Sequence, residues 1–277
     1  MTITQTLRIE PLNPVIAARV TGIDLHRPIA DDSARELREA FARHAVLCLP
    51  DQKITPQDQI AFASLFGLVD ANYRSQTTMH DRQQPRRGVM LVSNIRKNGE
   101  PIGVLPDGEM HFHSDGAHRD VPYTATTLYA IKVPSQGGDT RFAAMEAAYE
   151  ALPDDIKHRL DGRDAHHVFN YNETTRDKMR QDDPATSTHP VVRVHPDTGR
   201  RSLYVSRLMT RDIIGLERPE SDKMLAFLFD HCEKPEFVHA HRWAPGDLVI
   251  WDNRCVNHAR SDFPPEETRL LRRYTIT

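Results

Sequence analysis

The chain has 277 residues, of which 39% are hydrophobic and 27% charged, with a formal net charge of −3. That length can bury a large core without cross-links. Nothing in the charge balance points to a nucleic-acid partner, which usually needs a concentrated basic surface. No run approaches the ~18 apolar residues of a membrane span, and Met1 to Glu10 lacks the apolar centre of a secretion signal. A cytoplasmic protein with one domain over 1–277 is the expectation. Cys48, Cys232 and Cys255 show no CxxC spacing. They are expected to be buried free thiols, neither a disulfide framework nor a structural zinc site.

In chain order, Ser33-Ala34-Arg35-Glu36 reads as a capping box, with Leu37, Ala40, Phe41 and Ala45 following at helical spacing. Ala45 to Pro50 reads as a short buried strand ended by proline. Thr55-Pro56 then sets a capping hydroxyl before a proline, and Phe62, Leu65 and Phe66 mark an apolar helix side. Residues 67–110 are rich in Gly, Pro, Asn, Asp and Arg, and predict long loops with a strand at Val89 to Val92. Thr124 to Val133 predicts a strand, and Ala143 to Leu152 and Asp154 to Leu160 predict helices. The polar stretch 162–190 has the character of a lid or binding loop. Val191 to Val194 and Ser202 to Ser206 predict a hairpin around His195-Pro196-Asp197-Thr198-Gly199. Ser221 to His231 predicts a helix, with Met224, Leu225, Leu228 and Phe229 on one side. Strands are expected at Glu236 to His241, Asp247 to Asp252 and Thr268 to Ile276. Many short strands with helices between them predict a mainly β, α+β architecture: a sandwich or jelly roll braced by helices on one side.

The stretch Glu109-Met110-His111-Phe112-His113-Ser114-Asp115-Gly116 carries chemistry. Histidine and aspartate two apart on a strand share a face and can meet one metal ion. Two histidines and one carboxylate on one face of an octahedral iron leave three positions open, enough for a bidentate 2-oxo acid and O2. A tetrahedral zinc would leave one, which suits hydrolysis. Spacing alone does not choose between His111 and His113, and His118 also fits a plain loop histidine.

Further motifs give the chain a likeness. His113-Ser114-Asp115, Gly137-Gly138-Asp139-Thr140, Trp251-Asp252-Asn253-Arg254 with His258, and Arg269 and Arg273 occur in that order. Together they resemble the taurine dioxygenase (TauD/TfdA) family, which includes the 2,4-D and aryloxyalkanoate dioxygenases. Thr21 to Leu25, Arg43 to Val46, Phe66-Gly67, Ala147 to Leu152, His195-Pro196 and Lys234 to Phe237 extend the likeness over nearly the whole chain. The resemblance implies a double-stranded β-helix (jelly-roll) core flanked by helices. It implies iron(II) held by His113, Asp115 and His258, with 2-oxoglutarate and O2 as cosubstrates. It also implies Thr140 and Arg269 at the distal carboxylate of 2-oxoglutarate, and Arg273 at an anionic substrate. Arg269, Leu271 and Arg273 fall on one strand face, where two guanidiniums need anions between them. The alternative placement is a solvated face, where arginine is commonest.

The implied reaction releases succinate and CO2 and hydroxylates a small organic anion, with fragmentation where the hydroxylated carbon bears a leaving group. Sulfonates, sulfate esters, aryloxyalkanoates and other carboxylates are the candidate substrates. Asn72, Tyr73, Asn94 and Glu109 are the expected further lining. Two departures from the taurine dioxygenase pattern argue against taurine itself: the loop after Phe66-Gly67 has no histidine, and the acidic Glu109, four before His113, does not favour an anion though it could face an amine. A homo-oligomer, dimer or tetramer, is expected. The competing expectations are a metal-dependent hydrolase with the same ligands, active without 2-oxoglutarate, and a non-catalytic jelly-roll anion binder.

Overall fold

The computed structural model describes residues 6–70, 90–104, 108–168, 174–176 and 187–277. Two β-sheets face each other. The larger has seven strands in the order Arg8–Pro11, Ala18–Thr21, Val46–Leu49, Leu248–Asp252, Ala125–Lys132, Leu270–Ile276 and Met90–Ser93. Its pairings are antiparallel except that between Ala18–Thr21 and Val46–Leu49, which is parallel. The smaller sheet has four antiparallel strands in the order Val238–His241, Thr140–Ala144, Val256–Arg260 and Met110–His113. Apart from the first three strands of the chain, which adjoin one another in the large sheet, neighbouring strands in both sheets are not consecutive in sequence, as expected of a jelly roll.

The layers follow from which side chains each sheet hides. Cys48, Leu128, Val249, Trp251 and Leu271 of the large sheet pack with Phe142, Ala144 and Val256 of the small one to form the core between the sheets. Leu47, Leu49, Leu248 and Ile250 point the other way, onto Leu37, Ala40, Phe41 and Phe62 of the helices Asp31–His44 and Pro56–Ala63. Central strands buried on both faces carry apolar runs in place of alternation: Leu248–Asp252 is buried at every position.

Helices cover both outer faces, where the sequence suggested one. Met224, Leu225, Leu228 and Phe229 of Arg218–Cys232, with Met145, Ala148 and Leu160, close over Phe112, Ala143 and Ala259 of the small sheet. The apolar side of that helix was visible in the sequence, but its partner was not, because the strands beneath it are short and lack a period of two.

Several boundaries differ from expectation for local reasons. The helix Asp31–His44 starts before the supposed box: Ala30 is its N-cap, no side chain caps it, and Ser33 is buried inside it. Asp31 and Asp32 in the first turn favour its N-terminal dipole instead. Thr55 does cap its helix, as Thr55 Oγ1 accepts from the Asp58 amide at 3.2 Å and the Asp58 carboxylate accepts from the Thr55 amide at 2.8 Å. The expected helix from Ala143 is shortened to Met145–Glu150, because Thr140–Ala144 pairs on both sides as a strand. The polar 162–190 stretch includes the strands Asp164–His167 and Ser187–Pro190, paired with each other.

One polar strut ties the helix Pro56–Ala63 to the large sheet. Buried Arg272 donates to Gln59 Oε1 at 2.7 Å and to the Ile54 carbonyl at 3.1 Å, and Gln59 Nε2 donates to Thr127 Oγ1 at 3.1 Å. Arg272 points away from Arg273, so the two are separated across the sheet, as strand alternation requires.

Candidate active site

His113 closes the strand Met110–His113, and His258 sits in the middle of Val256–Arg260, directly opposite it in register. Their ring centroids are 4.1 Å apart. His113 Nδ1 lies 2.9 Å from the carbonyl of His111. Donation of Nδ1–H to that carbonyl leaves the Nε2 lone pair to face outward from the strand, which is how a metal-binding imidazole is oriented. Asp115 reaches the same point differently from the expected same-face alternation. The strand has ended, and Asp115 lies in a turn completed by Gly116. Gly116 has φ +78°, and a Cβ there would stand 2.8 Å from the Tyr123 backbone nitrogen, so only glycine fits the turn.

The nitrogens of His113 and His258 and a carboxylate oxygen of Asp115 lie within 4.8 Å of one another. His113 Nε2 is 3.7 Å from Asp115 Oδ1, and His258 Nε2 is 3.8 Å from Asp115 Oδ2. His113 and Asp115 are each 4% exposed. Such burial without an opposite charge would be costly for the carboxylate. It acts to raise the Asp115 carboxyl, but is outweighed by Arg273, then His258, His113 and the Thr126 hydroxyl, which hold it well below the usual carboxylate range. Burial lowers both histidines, His258 well below its ordinary value. The set is therefore two neutral imidazoles and one anion, the protonation state that binds a divalent cation.

His111 is turned aside from this point. Its Nδ1 accepts from the Arg176 amide at 3.0 Å, and its Nε2 lies 3.9 Å from Glu109. His118 is outside the converging set.

Sequence reading missed the supports of Asp115. Thr126 Oγ1 donates to Asp115 Oδ2 at 2.7 Å. Asn253 Nδ2 donates to Thr126 Oγ1 at 3.0 Å, while Asn253 Oδ1 accepts from Trp251 Nε1 at 3.0 Å. Ser114 Oγ donates to the Asn253 carbonyl at 2.6 Å. The Trp251-Asp252-Asn253 motif is thus a clamp on the turn that presents Asp115, and Trp251 also packs on His258 with centroids 4.7 Å apart. We expect Thr126→Val to weaken iron(II) affinity by ~10–100-fold, the usual effect of removing a group that orients a ligand. Titration of the metal-free protein measures this, and unchanged affinity would deny Thr126 the role.

Arg273 Nη2 is 2.7 Å from Asp115 Oδ1, and its buried Nε has no hydrogen-bond partner. Arg269 is 2% exposed, with neither Nε nor Nη1 hydrogen-bonded. Its side chain lies along Gly138, where a Cβ would stand 3.4 Å from Arg269 Cδ and Nε and 3.1 Å from Pro134 Cγ. Burial, followed by the nearby Arg260, pushes the Arg269 guanidinium down to about 9. Arg260 is opposite Thr140 in the small sheet, so Thr140, Arg260 and Arg269 share one end of the site. Thr140 is buried, and its Oγ1 accepts from Trp243 Nε1 at 3.0 Å. Arg260 was not anticipated, although its position two residues after His258 on a strand was a usable signal.

Of the remaining expected lining residues, Asn94 has another task. Its Oδ1 accepts from the Arg269 amide at 2.9 Å and its Nδ2 donates to the Glu267 carbonyl at 2.7 Å, so it braces the entry to the strand Leu270–Ile276. The Glu109 side chain is 53% exposed and faces His111, not the converging ligands. Asn72 and Tyr73 lie outside the described residues.

The profile of the family described as taurine catabolism dioxygenase TauD, TfdA family matches residues 8–275. The (S)-phenoxypropionate/alpha-ketoglutarate-dioxygenase of Sphingobium herbicidovorans is 32% identical, over 95% of this chain and 92% of its own length. The alpha-ketoglutarate-dependent 2,4-dichlorophenoxyacetate dioxygenase of Cupriavidus pinatubonensis is 32% identical over 96% of each chain. The crystal structure of AAD-2 in complex with Mn(II) and N-oxalylglycine superposes with a TM-score of 0.78 at 32% identity, covering 98% of this chain and 97% of that one.

Proposed function

This chain belongs to the TauD/TfdA family of dioxygenases, and on that premise we propose that it hydroxylates a small organic anion with iron(II) held by His113, Asp115 and His258. The observation that carries the proposal is the convergence of two neutral imidazoles and one charge-stabilised carboxylate in a buried place between the sheets. The residues fit the cofactor: two imidazole nitrogens and one carboxylate oxygen on one side of an ion suit a non-haem iron with open positions. The buried, unpartnered Arg269 fits a carboxylate cosubstrate. When bound, iron(II) with O2 and 2-oxoglutarate supplies the oxidant, giving succinate, CO2 and a hydroxylated substrate carbon.

The chain's own residues then act by placement. Arg269 takes the distal carboxylate of 2-oxoglutarate in a planar charge-assisted contact, with Thr140 at the same end and Arg260 adding positive potential. Asn94 and Gly138 fix the Arg269 backbone and stem. Arg273, within 3 Å of Asp115, is the cation placed to hold the anionic end of a substrate beside the metal ligands. Fixing one substrate C–H there and excluding others is the protein's part of the catalysis. Aryloxyalkanoates head the candidate classes, because two relatives of 32% identity act on phenoxyalkanoates; sulfonates, sulfate esters and other carboxylates follow.

A panel of these anions, scored by succinate formation with iron(II), ascorbate and 2-oxoglutarate, tests the reading. Aryloxyalkanoates are expected to couple best, and their neutral methyl esters to react poorly. Equal rates for acid and ester would remove Arg273 from substrate recognition, and turnover without 2-oxoglutarate would overturn the reaction class.

A further inference from the structure

Among the described residues, two further groups of metal-capable side chains lie as close together as the active-site set: His195, Asp252 and Cys255, and Cys48, His241 and Asp247. They differ in how their polar atoms are used. In the first, His195 Nδ1 accepts from the amides of Asp197 and Thr198, and His195 Nε2 lies 3.0 Å from Asp252 Oδ2. Both oxygens of Asp252 also accept from Arg254, at 2.8 and 2.6 Å. Both nitrogens of His195 and both oxygens of Asp252 are thus engaged, which leaves the buried Cys255 without a free imidazole or carboxylate beside it to share a cation. That group is a hydrogen-bonded brace for the segment leading to His258.

The second group is arranged otherwise. His241 is 8% exposed, and its Nε2 has no hydrogen-bond partner although Asp247 Oδ2 is only 3.2 Å away. That oxygen accepts from the Ala244 amide at 2.9 Å, and its second lone pair and the unpartnered His241 nitrogen can turn toward a common point. Two ligands at ~2.0–2.1 Å from a tetrahedral zinc stand ~3.3 Å apart, close to this separation. Cys48 completes the set with its sulfur within 4.8 Å of both. We propose that Cys48, His241 and Asp247 form a second metal site, distinct from the iron ligands and suited to zinc(II).

The donor chemistry selects the ion. One thiolate, one imidazole and one carboxylate suit zinc, whereas calcium and magnesium prefer all-oxygen sets. A thiolate and a carboxylate neutralise a dication. Without metal the thiol is inert: burial, then Asp247, pushes it up to about 12, with Arg19 on the adjacent strand opposing weakly. Metal binding must therefore displace its proton. The three residues come from different places. Cys48 lies in the large sheet opposite Val249, His241 ends a strand of the small sheet opposite Thr140, and Asp247 precedes Leu248–Asp252. An ion there joins the two sheets. Trp243, edge-on to His241 with centroids 4.6 Å apart, extends from this site to Thr140. Cysteine spacing gave no warning, because the ligands are gathered by strand pairing across some 200 residues of sequence.

Cobalt(II) is the probe, because the iron ligands include no sulfur. Metal-free full-length protein titrated with cobalt should develop a thiolate-to-cobalt charge-transfer band in the near ultraviolet. The band should persist in His113→Ala/Asp115→Ala, and that variant should retain one equivalent of zinc in equilibrium dialysis. Cys48→Ala and, independently, His241→Gln should lose that equivalent, and Cys48→Ala should lose the band, while Cys255→Ala keeps both. Circular dichroism establishes that each variant is folded. Absence of the band from the folded wild-type chain, its survival in Cys48→Ala, or its loss in Cys255→Ala would each overturn the proposal. None of these outcomes depends on the dioxygenase reading, since no turnover is measured.

Discussion

Asp115→Ala should lower iron-dependent succinate release by at least ~1000-fold, corresponding to the several kcal/mol that a correctly held metal contributes to a reaction barrier. Asp115 supplies the one negative charge among the three proposed ligands, and it is the group on which the other contacts converge. Its Oδ2 accepts from Thr126 Oγ1 at 2.7 Å and its Oδ1 is paired with Arg273 at 2.7 Å. Removing the carboxylate leaves Arg273 without that partner in a nearly buried place, so some stability is lost as well. Two measurements separate the effects. Asp115→Asn keeps the shape and can still accept from Thr126, so it should lose less stability in urea than Asp115→Ala while binding iron(II) weakly. His113→Ala should match Asp115→Ala in turnover, and the double variant should be little worse, because residues that act as one unit are not additive. Coupled turnover at a tenth of wild type in Asp115→Ala would contradict the ligand assignment.

The parts of the site that were legible in the sequence are those fixed by side-chain chemistry at short range. His113 and Asp115 are two residues apart; in the surrounding fold, the Thr55 cap is likewise local, within the four residues Thr55 to Asp58. Arg269 and Arg273 share a strand whose alternation is readable. What was not legible came from pairing between distant strands. Nothing in Val256 to Arg260 marks a strand, because both its faces are covered and its polar residues do not alternate with apolar ones. Its place is set by Thr140–Ala144 and Met110–His113 on either side. The same cause hid Thr126, whose hydroxyl looks in sequence like one more β-branched position of a buried strand. The structural task of Asn94 was hidden for a related reason: the backbone entering the strand at Arg269 has groups that its side chain satisfies, and only the pairing of distant segments reveals them. The second outer helical layer was missed because an apolar helix side shows that something is covered without showing which sheet.

Arg269→Ala should raise the KM for 2-oxoglutarate by about 100-fold, with kcat at saturating cosubstrate much less affected. The magnitude follows from losing ~3 kcal/mol of buried charge-assisted contact. A change in KM more than in kcat is expected because the distal carboxylate that Arg269 is proposed to hold does not itself react. The energetic state of Arg269 makes a second, independent readout. The guanidinium is 2% exposed, with two nitrogens unpartnered, and its folded-state value is lowered, by burial first and Arg260 second. A base whose folded value lies below its unfolded value binds its proton less tightly when folded. At neutral pH, where it is protonated in both states, it therefore opposes folding. A dicarboxylate bound against it relieves that penalty. The non-reacting analogue N-oxalylglycine should accordingly raise the melting temperature of the metal-loaded wild type more than that of metal-loaded Arg269→Ala. Arg269→Lys keeps the charge but not the planar fork, and should fall between the two in KM. Equal KM values in Arg269→Ala and wild type, together with equal thermal shifts, would remove Arg269 from cosubstrate binding. The buried cation would then need an anion from elsewhere in the fold.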